Sequence, residues 1–429
     1  MSFLQKLSRL LLSLSAQKNF AAARNSSMQA CQSLSSIFPG HVSFPHDQVY
    51  EDSVSSYAFI GTRLRPTCLV TPRSTNDVAV VIMVLGDLDS VAFAIRSGGH
   101  NTNNGFADAA DGITIDLSAM NELVLKRSPD SISVGPGARW QIVYEALDPY
   151  NISIQGGRNG HVGLGGYLLG VNFEVVLPPG IIVNTNATTN ADLFAALKGG
   201  LKNFGIVTRL DLQIFQEGPI DEELIETLST FKEPEKFDPH AMFTLGFLYD
   251  TTTRTFSADI AIVLASMHWA TITFHASRTT LIRIHAAFQR TSLALAESYV
   301  SANLTIACSI QSVPAATPAS NSNSLGFEPS TRPKRRLFNL GIAFQYENPV
   351  ATEGLGTAIM IFARELDQIA REDHADDGHL YLNYAGDWQD VLGGYGTEIV
   401  EKMRRVSTKY DGSRMFQRQV KGGFKLYKE

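Results

Sequence analysis

The sequence predicts an α+β fold, with two α+β units in succession and a C-terminal segment that has a helix of its own. Three observations carry this. Between about residues 45 and 215, short strand candidates alternate with helices and glycine turns. Beyond Gly218, strand candidates are interleaved with two helical stretches, which predicts a second, antiparallel sheet covered by helices. From Tyr381 onward come a loop, one helix and a polar tail. The boundaries follow as a tail with a first helix at 1–40, a first unit at 41–215, a second at 216–375 and a closing segment at 376–429.

In chain order, Ser27 to Phe38 has helical character and runs through Pro39-Gly40 into an extended Val42-Ser43-Phe44. Cys68 to Thr71 reads as a strand stopped by Pro72. Ser74, with Asp77 three residues on, is a helix start for the apolar run Val78 to Leu85. Val91 to Ile95 then reads as a buried strand feeding the turn Gly98-Gly99-His100. Ile113 to Leu117 alternates at period two, and Leu123 to Lys126 with Ser131 to Val134 forms a hairpin ending at Gly135-Pro136-Gly137. Helical spacing returns over Ala138 to Leu147, and a second glycine cluster spans Gly156 to Gly166 and includes Arg158. Phe173 to Leu177 and Ile181 to Val183 flank Pro178-Pro179-Gly180 as another hairpin. A helix over Ala191 to Lys198 stops at Gly199-Gly200, and alternation resumes over Gly205 to Leu212. In the second unit strands are expected at Met242 to Phe247, Ser257 to Val263, Ala270 to Phe274 and Leu337 to Phe344. Helices are expected at Leu281 to Ala296, Gly356 to Arg371 and Thr397 to Lys409.

With 429 residues, 44% hydrophobic and 18% charged, the chain has material for a sizeable core. A net charge of −6 and scattered Lys and Arg leave no footprint for nucleic acid. The run Arg332-Pro333-Lys334-Arg335-Arg336 follows a Ser/Asn/Pro-rich stretch and reads as a solvated loop. No apolar run approaches the roughly twenty residues needed to span a bilayer, so a membrane is not an expected partner. Leu10 to Leu14, flanked by Lys6, Arg9 and Lys18, reads equally as a short secretory leader and as an acid-free transit segment. Cys31, Cys68 and Cys308 have no CxxC spacing, which argues against a zinc or dithiol site. A Cys31–Cys68 disulfide would suit an oxidising compartment, and three free thiols a reducing one. Sequons at Asn25, Asn151, Asn186 and Asn303 would carry glycans only on the secretory route.

A glycine turn after a buried strand lets backbone N–H groups approach a diphosphate, because glycine has no Cβ and tolerates positive φ. Ser97 to Asn101 meets that requirement, although tight turns of any α/β protein use glycine. The order of segments says more: Arg96-Ser97-Gly98-Gly99-His100, then Ile113-Thr114-Ile115-Asp116-Leu117-Ser118, then Val134-Gly135-Pro136-Gly137-Ala138. Gly163-Leu164-Gly165-Gly166, Asp192-Leu193-Phe194 with Ala196-Leu197-Lys198-Gly199-Gly200, and Asn203-Phe204-Gly205-Ile206-Val207-Thr208 follow. Tyr381-Leu382-Asn383-Tyr384, Gly393-Gly394-Tyr395-Gly396 and Phe416-Gln417-Arg418 close the series.

Together these motifs, over about residues 40 to 425, resemble the berberine-bridge-enzyme-like FAD-linked oxidoreductases, especially the fungal ones. The resemblance implies a two-part PCMH-type FAD-binding domain of the vanillyl-alcohol-oxidase superfamily, a substrate domain built on an antiparallel sheet, and a C-terminal segment that returns to the FAD domain. It implies FAD bonded through its 8α-methyl to His100. Arg96, Ser97, Gly98, Gly99, Asn101, Gly105, Gly160, Val162, Gly163, Gly165, Gly166, Gly205, Ile206, Val207, Tyr381 and Asn383 are its implied cofactor contacts. Relatives with a second bond use a cysteine where Asn159 stands, so single attachment is expected. Val162 matches a position that is small in oxidases and bulkier in dehydrogenases, which points to oxygen as acceptor; a plain packing role beside the glycines is the other reading. Tyr384 matches the base of similar sugar and cannabinoid oxidases, which removes a hydroxyl proton from a small-molecule substrate while hydride leaves.

The chain departs from the pattern after Gly170, which joins Val171 where relatives continue with glycines, a serine and an aromatic turn. Ser266 to Thr280 is also short, and Ala195 replaces a usual tryptophan. The expectation is therefore an FAD-dependent oxidase acting on an alcohol, sugar or secondary-metabolite carbon, set against a catalytically impaired relative that binds flavin poorly. A nicotinamide-binding Rossmann enzyme fails on spacing, since Leu168 stands where the third glycine belongs.

Overall fold

The computed structural model describes residues 25–427 except 89, 128–129, 158, 168–169, 217–243, 251–254, 258–265, 314–322 and 326–336. The leader, Arg158, the basic run 332–336 and most of the strand expected at 257–263 lie outside the described residues.

A helix over residues 25–37 (α1) is tied to the first sheet by the Cys31–Cys68 disulfide, with the two Cα atoms 6.1 Å apart. Cys308 is a free, buried thiol. The first sheet has the order β1 (Val42–Ser43), β2 (Cys68–Val70), β4 (Ile113–Asp116), β3 (Phe93–Arg96). Its last three strands are parallel. Helices α2 (Gln48–Ser55) and α3 (Thr75–Gly86) lie between them in the chain, and α3 starts at the expected Ser74/Asp77 capping box. Every residue of β4 is buried. The strand expected from the alternation of Ile113 to Leu117 is present, and as a central parallel strand it is covered on both faces.

The second sheet runs β5 (Leu123–Arg127), β6 (Asp130–Val134), β10 (Ile206–Gln216), β8 (Asn172–Leu177), β9 (Ile181–Asn186), and β7 (Ile152–Ile154) also pairs with β10. All its pairings are antiparallel. Helix α4 (Trp140–Leu147) covers one end, and α5 (Ala191–Gly200) leaves helical geometry at Lys198 and Gly199, where the glycine pair was expected to stop it.

The third sheet has the order β12 (Thr255–Ser257), β11 (Thr244–Asp250), β14 (Thr305–Val313), β15 (Leu337–Tyr346), β13 (Ser266–His275), β16 (Asp376–Asp377) and is antiparallel throughout. Strand β14 is an addition to the sequence reading. Helices α6 (Arg278–Ser298) and α7 (Thr352–Glu372) cover one face. Ile272, Phe274, Ile306, Ile310, Leu340, Ile342 and Phe344 pack there against Ile284, Phe288, Ile359, Phe362 and Leu366. The closing segment, with α8 (Thr397–Tyr410) and α9 (Met415–Arg418), packs back on the first unit. Gln419 donates to Leu85 O and Leu88 O, and Gln417 donates to Asn203. Among the described residues no helix is long and apolar enough to cross a membrane.

Candidate active site

The turn carrying His100 is fastened from below. Arg96 is buried in an ion pair with Asp116 at 3.2 Å. Its guanidinium also donates to Ser53 O at 2.7 Å and Ser56 Oγ at 2.6 Å, and lies 4.1 Å from the centre of the Tyr57 ring. Arg96 is thus spent on the support of the turn, with its two terminal nitrogens engaged and Nε buried without a partner. Asp108, also buried, accepts from Thr114 Oγ1 at 2.6 Å and Ala109 N at 2.9 Å, and burial pushes its carboxyl up to about 6.

Above this support three glycine loops meet. Ser97 Oγ donates to Pro136 O at 2.5 Å and accepts from Gly165 N at 3.1 Å. A Cβ on Gly98 would sit 2.4 Å from Gly163 N, so two backbones touch where no side chain fits. The 160–166 loop is joined to the start of α4 by Trp140 N to Val162 O at 3.1 Å and Gln141 N to Gly160 O at 3.0 Å. Gly105 and Gly166 face open space. Asn101 accepts from Asn103 N at 2.8 Å, which shapes the chain after His100. Gly205, Ile206 and Val207 open β10 beside Val175 and Val176, and the Ile206 side chain belongs to the core of the first unit.

His100 is half-buried and packs edge-on to Phe59, with ring centres 5.2 Å apart. Burial lowers its pKa from the ordinary value, and the charges of Arg139 and His161 push the same way. The neutral imidazole keeps a lone pair, which a nucleophile requires. Backbone amides brought together without side chains, open space at Gly105 and Gly166, and a neutral, reachable imidazole fit a flavin dinucleotide.

Phe59 leads across to the third sheet, where it clusters with Met267 and Ala343, and Trp269 packs against them. Trp269 packs tilted against Tyr384 with ring centres 4.6 Å apart, and Tyr381 meets Tyr384 edge-on at 4.9 Å. Asn383 is exposed and donates to Tyr381 Oη at 3.2 Å. Gln311 Nε2 donates to Tyr384 Oη at 2.8 Å. The Tyr384 loop is held by Asn103, which donates to Ala385 O at 3.0 Å, and by Gln389, which donates to Thr271 O at 2.7 Å. His100 and Tyr384 are therefore joined through Phe59 and Trp269 on one side and Asn103 on the other. The sequence reading missed Gln311, Phe59, Trp269 and Asn103. The alternation of Ile306, Cys308 and Ile310 with Ala307, Ser309 and Gln311 was the available signal for the first. Among the described residues no cluster of His, Cys, Asp and Glu could hold a metal.

Fold and site define a flavin-dependent oxidoreductase, and comparison with known proteins agrees. Residues 66–178 match the FAD binding domain family. The chain is 31% identical to the FAD-dependent monooxygenase sdcF of Emericella nidulans over 471 residues, covering 92% of this chain and 98% of that protein. It is also 31% identical to the FAD-dependent monooxygenase drtC of Aspergillus calidoustus, covering 93% and 90%. The chain belongs to the FAD-linked oxidoreductases that include these fungal proteins. Its fold matches the glucooligosaccharide oxidase of Acremonium strictum with a TM-score of 0.69 at 18% identity, covering 94% of this chain and 98% of that one. It matches Physcomitrella patens BBE-like 1 with a TM-score of 0.66 at 14% identity, covering 93% and 100%. The Acremonium enzyme is described with a 6-S-cysteinyl, 8α-N1-histidyl FAD. The aligned span of 471 residues with the Emericella protein exceeds the 429 of this chain, so the chain lacks positions its relative has.

Proposed function

We propose that the protein is an oxygen-dependent FAD enzyme, with FAD attached once, at His100, and with Tyr384 as the base that accepts a hydroxyl proton from an alcohol, sugar or secondary-metabolite substrate. The observation that carries this is the neutral, half-buried imidazole in a turn made of touching glycine backbones, joined by packed aromatic rings to a tyrosine on a loop that lies against the facing sheet. Bound flavin supplies the hydride acceptor. The chain does the rest: Ser97 fastens the loops together, the amides of 98–101 with those of Gly163 and Gly166 would hold the dinucleotide, Asn159 offers no thiol for a second bond, and Val162 sits in the 160–166 loop. Oxygen serves in both the oxidase and the monooxygenase reading. The names of the fungal relatives favour the second, and the matched position of Val162 the first.

Acid precipitation of the purified protein tests the attachment. A yellow pellet and a single flavin-bearing peptide containing His100 are expected, with a colourless pellet from His100→Ala; a yellow mutant pellet would refute His100. The short connection at Gly170, where Val171 N already donates to Asp211 O at 2.8 Å, supports flavin occupancy below one per chain. Inserting a relative's glycine-serine-aromatic segment between Gly170 and Val171 should raise occupancy, and full occupancy of the unaltered chain would show that the short loop suffices. With a turned-over substrate, labelled oxygen in the product marks a monooxygenase, and label in peroxide alone marks an oxidase.

A further inference from the structure

Cys31 and Cys68 are fully buried and joined in a disulfide, a bond that persists in the oxidising compartments of the secretory route. On that route the Asn-x-Ser/Thr sequons become modification sites. Asn25, at the start of α1, borders residues outside the described ones, and the fold treats the other three sequons differently. Asn151 and Asn303 are exposed and hold left-handed corners, with φ of 53° and 48°, ahead of β7 and β14. Each stands beside uncovered apolar side chains. Tyr150, 59% exposed, precedes Asn151, and Phe215, 51% exposed, pairs with Ser153, the third residue of that sequon. Val300, 71% exposed, lies three residues before Asn303. Asn303 Nδ2 donates to Glu347 Oε2 at 2.7 Å, and Val350, three residues beyond Glu347, is 89% exposed. These two valines are the most exposed large apolar side chains among the described residues. Asn186 is half-buried and its carboxamide is taken up within the fold: Oδ1 accepts from Thr188 N at 2.9 Å and Thr189 N at 2.8 Å, and Nδ2 donates to Asn172 Oδ1 at 3.3 Å.

We propose that Asn151 and Asn303 carry N-linked glycans, and that the sugars cover the apolar side chains beside them. In the modification, Nδ2 of the asparagine displaces the lipid diphosphate of an oligosaccharide donor. A nitrogen–carbon bond forms at the anomeric carbon, the bond from that carbon to the diphosphate oxygen breaks, and one amide proton is lost. The remaining N–H lets Asn303 keep its bond to Glu347. Asparagine tolerates positive φ better than most side chains, which accounts for the two corners but not for a hydroxyl residue two positions on at both, nor for the apolar neighbours. Single exposed apolar side chains are ordinary, whereas paired ones are surface that something covers. A sugar ring presents C–H groups on one face and hydroxyls around its rim, so a glycan lying on Tyr150 and Phe215, or on Val300 and Val350, replaces bare apolar surface with polar groups. At Asn186 a sugar would compete with the bond to Asn172, so this sequon is the least occupied of the three.

The test expresses the full chain, with its own first residues, in a filamentous fungal host and treats the purified protein with peptide N-glycosidase in water carrying heavy oxygen. The enzyme turns each sugar-bearing asparagine into a labelled aspartate, which peptide mass mapping locates. Label is expected at Asn151 and Asn303 in most copies and at Asn186 in few. Absence of label from Asn151 and Asn303, or equal label at Asn186, would overturn the proposal, as would a chain that stays in the cytosol without sugar. The covering role has its own readout, taken on protein already folded so that secretion of a variant is not at issue. Removal of the sugars should raise binding of an apolar fluorescent dye about twofold, and Val300→Ser combined with Val350→Ser should reduce that rise. Dye binding unchanged by removal of the sugars, or a rise of the same size in the double variant, would show that the glycans do not cover these side chains and would overturn that part of the proposal.

Discussion

At the His100 turn the supporting contacts are buried and charged: Arg96 and Asp116 pair at 3.2 Å with almost no exposure, and Ser53, Ser56 and Tyr57 complete the shell. Around Tyr384 the contacts are neutral amides spanning long separations, from Asn103 to Ala385 and from Gln389 to Thr271. The difference is one of rigidity and of failure. Losing one member of a buried ion pair strands a charge in low dielectric, whereas losing a neutral amide strands only an uncharged carbonyl or N–H, at Ala385 or Thr271 a buried one. The His100 side is built to hold one geometry, and the Tyr384 side to be adjusted by small changes.

The sharpest break of that contrast is Arg96→Ala. It leaves Asp116 buried and unpaired, and a loss of about 3–5 kcal/mol is expected. Denaturant unfolding should register it, together with loss of acid-stable flavin in whatever protein still folds. A change below about 1 kcal/mol would mean that water or Ser53 already satisfies Asp116, and the two sides would then not differ as described.

Asp108 gives the next largest effect, through pH. Its carboxyl is held at about 6 in the fold, against 3.8 ordinarily, chiefly by burial. Between those values the native state binds the proton that the unfolded chain has released. Its contribution is therefore fully present below pH 3.8 and is lost as pH rises through 6, by up to about 3 kcal/mol. Asp108→Asn should remove this slope, so that unfolding free energies at pH 4 and pH 7 differ less in the mutant than in the parent. Equal slopes would show that the buried carboxyl is not the group responsible.

The same contrast explains what could be read from sequence. The His100 turn is local: strand β3, the glycines and the imidazole lie within eight residues of one another, Phe93 to His100, and their chemistry is visible in order. The capping box at Ser74 and the kink at Gly199 are local in the same way. Strand β14 was not read, because its β-branched residues Ile306 and Ile310 fall on the helix-covered face while the other face carries only the small or polar Ala307, Ser309 and Gln311. Its small side chains follow from the Tyr384 and Trp269 rings lying on that face, and Tyr384 is 73 residues away from Gln311. Phe59 was missed for a similar reason, since nothing near it in sequence shows that it links His100 to Met267 and Ala343.

Asn103 is the smallest expected effect and the one that separates the two sides most cleanly. Its Nδ2 donates to Ala385 O and its Oδ1 accepts from Asp387 N, so a single side chain ties the strand-turn carrying His100 to the loop carrying Tyr384. Both bonds are neutral and the site is half-buried, so Asn103→Ala should cost only about 1 kcal/mol of stability. The turn itself keeps Arg96, Asp116 and Ser97, and acid-stable flavin should therefore remain at the parent level. Freed at one end, the 385–387 backbone relaxes and Tyr384 loses alignment with the flavin side, so turnover should fall by about tenfold while flavin content stays constant. Parallel loss of flavin and turnover would place Asn103 on the attachment side instead, and would show that the two halves of the site are held as one unit.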